Sequence, residues 1–503
     1  MIAGAPPVQA AATTQPVLIT LLHTNDVHGY VYLPGKAQGS SKIATLVRGI
    51  RAEMPHVLLL DAGDMIHGTP VEKAFKGEAA IAAMNAMGYD AAASGNHEYD
   101  WGQDATRKAF KQAAFPILSA NVLDTETGKP FATLKPYIIR DIDGVRVAIF
   151  GLTTPTTVQI EWPRTIQGIT FADYIPIAKE LVARLRTKEH ADVVIALTHL
   201  GVPHDKELAD AVPGIDIILG GHSHTRLDQQ VWENGVLIMQ TGAHAVALGR
   251  ADFLVDPPAA DGRRHITING KENHWWGHDG VAVPAGFAAP FPDGPLISLT
   301  EAIADDPAVL AAYRPYQEKV AKQLDEVLTE ALDPMPAVYA TRREVAVGQL
   351  LADAIRAHSK TDIALAASSQ FNPLGLLKGP VRVADLYELL PNYTRQHIVT
   401  LRTPGANIRQ MAAHLLASGQ MPVQISGFRV AGAQISVGDQ PLDDSRLYTV
   451  AGPAHVIQEY YLNHPGVIIL DDNVAAAQVR DALIEFLRGH SPLRNTAENR
   501  FSR

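Results

Sequence analysis

One pattern of local order, repeated through the first half of the chain, constrains its fold more than any other feature. A short apolar run stops abruptly in polar residues of a particular kind, and an amphipathic stretch follows. Val17-Leu18-Ile19-Thr20-Leu21-Leu22 runs into His23-Thr24-Asn25-Asp26-Val27-His28. His56-Val57-Leu58-Leu59-Leu60 runs into Asp61-Ala62-Gly63-Asp64, and Tyr89-Asp90-Ala91-Ala92-Ala93 into Ser94-Gly95-Asn96-His97-Glu98-Tyr99-Asp100. Val193 to Leu197 ends in Thr198-His199, Ile215 to Leu219 in Gly220-Gly221-His222-Ser223-His224, and Val236 to Met239 in Gln240-Thr241-Gly242-Ala243-His244. Short apolar runs alternating with helical periodicity predict strands buried on both faces with helices on each side. The clearest helices are predicted over 42–53, 71–87 and 173–189. In such α/β sheets a site forms at the carboxyl ends of the strands, where all these polar residues fall.

Size and charge narrow the reading. The 503 residues exceed what one core usually serves, so two domains are expected. A net charge of -10 argues against a nucleic-acid polymer as partner, while leaving room for a small anionic substrate at a locally cationic site. There is no cysteine, so thiol catalysis, disulfides and thiolate metal sites are excluded, and a metal must be held by His, Asp, Glu or Asn. No run reaches the roughly 18 to 20 apolar residues of a membrane span. Residues 1–16 are small, Pro-rich and uncharged, and Val8-Gln9-Ala10 has the look of a signal-cleavage site. The stretch reads as the remnant of an export leader or a disordered tail, and points to a periplasmic or secreted protein.

Each strand-end motif is ordinary by itself, since a turn with a capping Asp or Asn accounts for it. Five strand ends carrying Asp, His and Asn, with almost no Lys or Arg among them, are not ordinary. Gathered without a cation they would bury uncompensated polar groups. The inventory suits two metals sharing a bridging carboxylate, spaced ~3.5–4 Å apart as in two-metal hydrolases.

Asp26-x-His28, Gly63-Asp64 to Gly68, Gly95-Asn96-His97-Glu98, His199 after its strand and Gly221-His222-Ser223-His224 together resemble the motif set of the calcineurin-like metallophosphoesterases, in the same order. The phrases His23-Thr24-Asn25-Asp26-Val27-His28-Gly29 and Gly95-Asn96-His97-Glu98-Tyr99-Asp100 resemble the 5'-nucleotidase branch. The resemblance implies an α/β fold: a four-layer metallophosphoesterase domain with β-sheets flanked by helices, plus a smaller α+β C-terminal domain. It implies that Asp26, His28 and His224 hold one divalent metal, that Asn96, His199 and His222 hold the other, and that Asp64 bridges them. His97, oriented by Asp100, would stabilise the phosphoryl oxygen or protonate the leaving group. The mixed N and O ligand set fits Mn or Zn, with Fe or Co as alternatives. The reaction implied is hydrolysis of a small phosphoester, nucleoside 5'-monophosphates or related nucleotides first, by attack of a metal-bound hydroxide. His244 follows a strand, but no family motif claims it, and it reads as a supporting residue. His274 and His278, around Trp275 and Trp276, read as a surface hairpin or loop with a Trp anchored in the domain, in preference to a binding loop with the two Trp as a stacking surface.

The resemblance divides the chain into a catalytic domain over 17–298, a linker helix over 299–333 and a C-terminal substrate-binding domain over 334–503. The Pro- and Gly-rich stretch 281–298 marks the boundary, and helical spacing runs from Val309 to Val327. Helices are predicted over 348–359, 405–417 and 474–488, and strands over 362–367, 397–401, 424–430 and 447–451. Here the sequence departs from the family. Ser368-Ser369-Gln370-Phe371-Asn372 lacks the substrate arginine, Pro391-Asn392-Tyr393-Thr394 lacks the stacking Phe, and Ala454 to Tyr461 replaces a Gly-rich stretch. Arg342, Arg343, Phe371, Tyr393 and Tyr460 are candidate replacements. Two other functions fit the architecture. One is a thiosulfohydrolase of bacterial sulfur oxidation, whose partner would be a carrier protein. The other is a non-catalytic metal-binding surface module, against which His97 and Asp100 both argue.

Overall fold

The computed structural model describes residues 15–260, 264–268, 295–391, 396–473, 477–490 and 492–502. His274, Trp275, Trp276, His278 and Tyr393, nearly all of the stretch 1–16 and most of 281–298 lie outside the described residues. Contacts divide the chain into two units. One comprises Met1–Tyr99, Gln103–Ile160 and Ile166–Tyr316, the other Asp100–Gly102, Glu161–Thr165 and Gln317–Arg503.

The first unit holds two large sheets. One has the strand order Ile266–Ile268, Ala247–Val255, Val17–Thr24, Val57–Asp61, Ala91–Ala93, Ile117–Leu118, with Leu296–Ser298 also on Ala247–Val255. The other runs Val231–Glu233, Val236–Met239, Ile217–Gly220, Val193–His199, Val145–Thr153, Tyr137–Ile142. The central strands of each sheet are parallel to one another. Alternate residues explain how the sheets meet, because successive side chains of a strand point to opposite faces. Ile19, Leu21, Leu58 and Leu60 share one core with Val147, Ile149, Val193, Ile195, Ile217 and Leu219. The other face of the second sheet, with Phe150, Val194, Ala196 and Ile218, packs with residues of helices Tyr174–Thr187 and Val202–Ala211. Helix Ser40–Glu53 packs beside strand Val57–Asp61 and against helix Glu78–Met87. The layers are helix, sheet, sheet, helix.

The single helix expected over 71–87 is two helices, Pro70–Phe75 and Glu78–Met87. Lys76 and Gly77 turn left-handed between them, at φ 49° and 87°. A Cβ on Gly77 would lie 2.6 Å from Cβ of Ile66, so only glycine fits this approach. Helix Tyr174–Thr187 starts where Asp173 accepts a hydrogen bond from the Ile175 amide at 3.1 Å.

In the second unit a five-stranded sheet has the order Val423–Ser426, Ile363–Ala367, Leu447–Pro453, Ile398–Pro404, Ile468–Asp471. Residues of helices Ala346–Ser359 and Val479–Arg488 pack in a core with Ala364 and Ala366. Residues of Gly405–Ser418 and Ala454–Tyr460 pack in another core with Ile363 and Leu365. The strand expected over 424–430 is broken at Gly427, and Phe428–Ala431 joins a separate four-stranded sheet. Helix Pro307–Leu324 lies within the stretch 299–333, and the division between units falls inside it. The helical spacing does not carry through Val327. The chain turns into strand Val327–Ala331, which pairs antiparallel with Gly379–Arg382, and long-range pairing overrides the local pattern.

Candidate metal centre

The expected ligands converge from both sheets of the first unit. Asp26 and His28 follow strand Val17–Thr24, Asp64 follows Val57–Asp61, and Asn96 and His97 follow Ala91–Ala93. From the second sheet, His199 ends its own strand, and His222 and His224 follow Ile217–Gly220. Ligand atoms of Asp26, His28, Asp64 and His224 lie within 4.8 Å of one another. Nε2 of His28 and Nε2 of His224 are 3.0 Å apart. Nε2 of His199 lies 3.0 Å from Oδ2 of Asp64 and 3.9 Å from Oδ1 of Asp26. Nδ1 of His222 lies 2.9 Å from Oδ1 of Asn96.

The backbone at these positions is unusual. Asp26, His28, Asp64, His222 and His224 have φ of 49°, 51°, 58°, 76° and 53°. Left-handed backbone is disfavoured for residues with a Cβ, and it persists where the surroundings over-determine it, typically at functional sites. Those surroundings are visible. Glu98, buried, accepts hydrogen bonds from the amides of Asp64 (3.1 Å), Met65 (2.8 Å) and Gly95 (2.6 Å), tying two strand-end loops together. Asn25 ties the sheets: its Oδ1 accepts from the Thr241 amide at 2.7 Å, and its Nδ2 donates to the Gly242 carbonyl at 2.6 Å. Neither role was drawn from the sequence, although both residues sit inside the recognised phrases.

Electrostatics favour a cation. The Ala62 carbonyl, 2.8 Å from Nδ1 of His199, can only accept, so Nδ1 carries the proton and Nε2 faces two carboxylates. That Nε2 is fully buried, with Oδ2 of Asp64 3.0 Å away. Burial alone would lower the His199 pKa, yet Asp64 and Asp26 outweigh it and lift it to about 10. Burial holds His28 well below its ordinary value, and burial with His199 brings His222 to about 4, so both present lone pairs. Converging imidazole lone pairs and buried carboxylates fit divalent transition metals.

His97 begins the short 3-10 turn His97–Tyr99. Its amide donates to Oδ1 of Asp64 at 2.9 Å, and its Nε2 lies 3.9 Å from Oδ2 of the same residue. Its ring stacks on that of His67 at 4.7 Å and 10°. His67 was missed in the sequence because it falls between motif positions. Asp100 is buried, directly after the turn, and is grouped by contacts with the second unit.

The candidate substrate residues are scattered through the second unit. Arg342 and Arg343 are exposed, and the guanidinium of Arg343 lies over the Tyr339 ring at 4.7 Å. Phe371 and Tyr460 are 7% and 8% exposed, in two different cores. The short turn Ser368–Gln370 presents Gln370, whose Nε2 lies 2.8 Å from Nε2 of His455. Oε1 of Gln370 and Nε2 of His397 are buried without hydrogen-bond partners among the described residues.

A family model described as calcineurin-like phosphoesterase matches residues 19–226, and one described as the 5'-nucleotidase C-terminal domain matches residues 327–460. The fold and the convergent strand-end Asp, His and Asn side chains agree with a phosphoesterase domain of calcineurin type. The chain carries a calcineurin-like phosphoesterase domain followed by a 5'-nucleotidase C-terminal domain. It is 35% identical over 272 residues to the trifunctional nucleotide phosphoesterase protein YfkN of Bacillus subtilis, a match covering 47% of this chain and 18% of that protein. It is 29% identical over 419 residues to a 5'-nucleotidase of Vibrio cholerae, covering 74% of this chain and 71% of the relative. The solved structure of a 5'-nucleotidase precursor from Thermus thermophilus shares the fold, with a TM-score of 0.67 at 24% identity over 96% of this chain and 99% of that one. Among the described residues no helix is long and apolar enough to cross a membrane.

Proposed function

We propose that this chain hydrolyses phosphate monoesters, with nucleoside 5'-monophosphates or related nucleotides as the substrate class. The observation that carries the reading is the convergence of Asp26, His28, Asp64, His199, His222 and His224 from two sheets, with left-handed backbone at five of the six. Asp26, His28 and His224 hold one divalent cation, Asn96, His199 and His222 the other, and Asp64 both. Bound there, the two cations supply Lewis-acid stabilisation of the phosphoryl group and a water of lowered pKa. The protein's own part is positioning. Ala62 holds the His199 tautomer through its carbonyl. Glu98 and Asn25 hold the loops. His97, beside Asp64 and not among the ligands, stabilises a phosphoryl oxygen or gives its proton to the leaving group, with Asp100 orienting it.

Mn or Zn suits the mixed donor set, and the family resemblance supports a periplasmic or secreted location. The C-terminal unit carries the specificity. Gln370 and His455 offer an amide and an imidazole for hydrogen bonding where the resemblance implies an arginine, and a stacking role for Phe371 or Tyr460 would require them to leave their cores. Broad specificity across bases follows. The test is a panel of nucleotides, sugar phosphates and cyclic nucleotides, with a thiosulfonate-modified cysteine peptide as a further arm, assayed on metal-stripped protein resupplied with Mn or Zn. Phosphate release from nucleoside monophosphates is expected. Activity on the thiosulfonate alone would replace this reading with the sulfur-oxidation one, and no activity on any substrate would leave a metal-binding module.

A further inference from the structure

We propose that His244 is an additional ligand of the cation assigned to Asp26, His28 and His224. This rests on the dinuclear reading above and adds a donor that no motif supplies. Ligand atoms of His28, His224 and His244 lie within 4.8 Å of one another. The His244 ring centroid is 5.5 Å from that of His28 and 5.8 Å from that of His224. With metal–nitrogen bonds of about 2.1 Å, ligands on opposite sides of one ion stand roughly 4 Å apart, so the three imidazoles need only small movements to share it.

The loop that carries His244 is held in place from several sides. His244 and the next residue, Ala245, are both left-handed, at φ 60° and 53°. Two successive non-glycine residues in that region are sterically disfavoured and need external support. The His244 amide donates to the carbonyl of Asp26 at 2.8 Å, which couples the loop directly to a ligand residue. The carbonyl of Ala245 accepts from the Gly39 amide at 2.9 Å. Tyr30 stacks on the imidazole at 4.5 Å and 25°, fixing the plane of the ring. Packing against Tyr30 would be met by any flat ring. A strained backbone that delivers a nitrogen donor beside two other imidazoles is accounted for by ligation.

Full-length protein is stripped of metal and titrated with Co²⁺ alone, with bound metal read by elemental analysis after dialysis and coordination by visible absorption. His244→Phe keeps a ring for Tyr30 and removes the donor. His244→Asn tolerates left-handed backbone and is too short to reach. Both variants are expected to bind one of two Co²⁺ ions at least ~10-fold more weakly, the lower end of what even outer partners of a metal contribute. The absorption band of that ion is expected to shift, while the other ion binds as in the parent. Thermal unfolding of the metal-free proteins identifies a variant that fails to fold, and the second variant then decides. Parental affinity and spectrum in either folded variant overturn the proposal, as does a change in KM alone. If the parent itself binds fewer than two ions, the dinuclear reading fails instead.

Discussion

Nε2 of His199 and Oδ2 of Asp64 lie 3.0 Å apart, and neither residue is more than 1% exposed. The two come from different sheets, His199 from the end of its strand and Asp64 from the loop after Val57–Asp61. A carboxylate in that position reaches ligands of both proposed ions. Asp64→Ala is therefore predicted to lose both metals together, while His222→Ala loses mainly one. Elemental analysis of purified variants checks this. A single metal retained at full occupancy in Asp64→Ala would remove Asp64 from the bridging position.

His97→Ala is predicted to lower kcat ~10²- to 10⁴-fold with metal content unchanged, the usual size of an acid–base or electrostatic contribution. Steady-state kinetics paired with metal analysis separates the outcomes. Metal lost in step with activity would make His97 a ligand.

The parallel stack of His67 on His97 predicts a positioning effect. His67→Ala should lower kcat ~10- to 10²-fold with little change in KM, the scale of a small misplacement of a reacting group. His67→Phe, which preserves the stack, should recover most of it. Equal loss in both variants would assign His67 a different role.

Glu98 accepts three amide hydrogen bonds in a buried site. Glu98→Gln replaces one acceptor oxygen by a donor, leaving buried amides unpaired at about 1–3 kcal/mol each. A lower urea midpoint and weaker metal retention are both expected. Unchanged stability would mean that the two loops are held by other contacts.

Stability should also carry the signature of Glu72, which is fully buried and whose carboxyl burial pushes up to about 8, a hydrogen bond from the Ala80 amide opposing. In the unfolded chain it ionises near 4.5, whereas in the folded chain it stays protonated to about 8. Between those values the unfolded state binds fewer protons, so this group's contribution falls as pH rises and levels off above about 8. Glu72→Gln should flatten that slope. Urea unfolding of both metal-free proteins at several pH values measures the difference, and parallel curves would place the titration elsewhere.

Strand ends were legible in the sequence because the cues are local. An apolar run buried on both faces stops where Asp26, Asp64, Asn96 or His199 begins, and that boundary needs no knowledge of distant residues. Helices Ala346–Ser359 and Gly405–Ser418 were legible for the same reason, through their apolar spacing. Tertiary structure decided what depends on neighbours far along the chain. It set Ile19 and Leu21 against Ile195 and Ile217, and so brought the ends of two sheets to one place. It recruited Asn25 and Glu98 as ties, laid His67 on His97 and His244 beside His28, and buried Phe371 and Tyr460 in cores. It also imposed the left-handed backbone of the strand-end loops, which no residue there but glycine favours by itself. Periodicity tells a residue which face it belongs to. What that face meets is set by strand order and register across hundreds of residues, and there the chemistry of the site is decided.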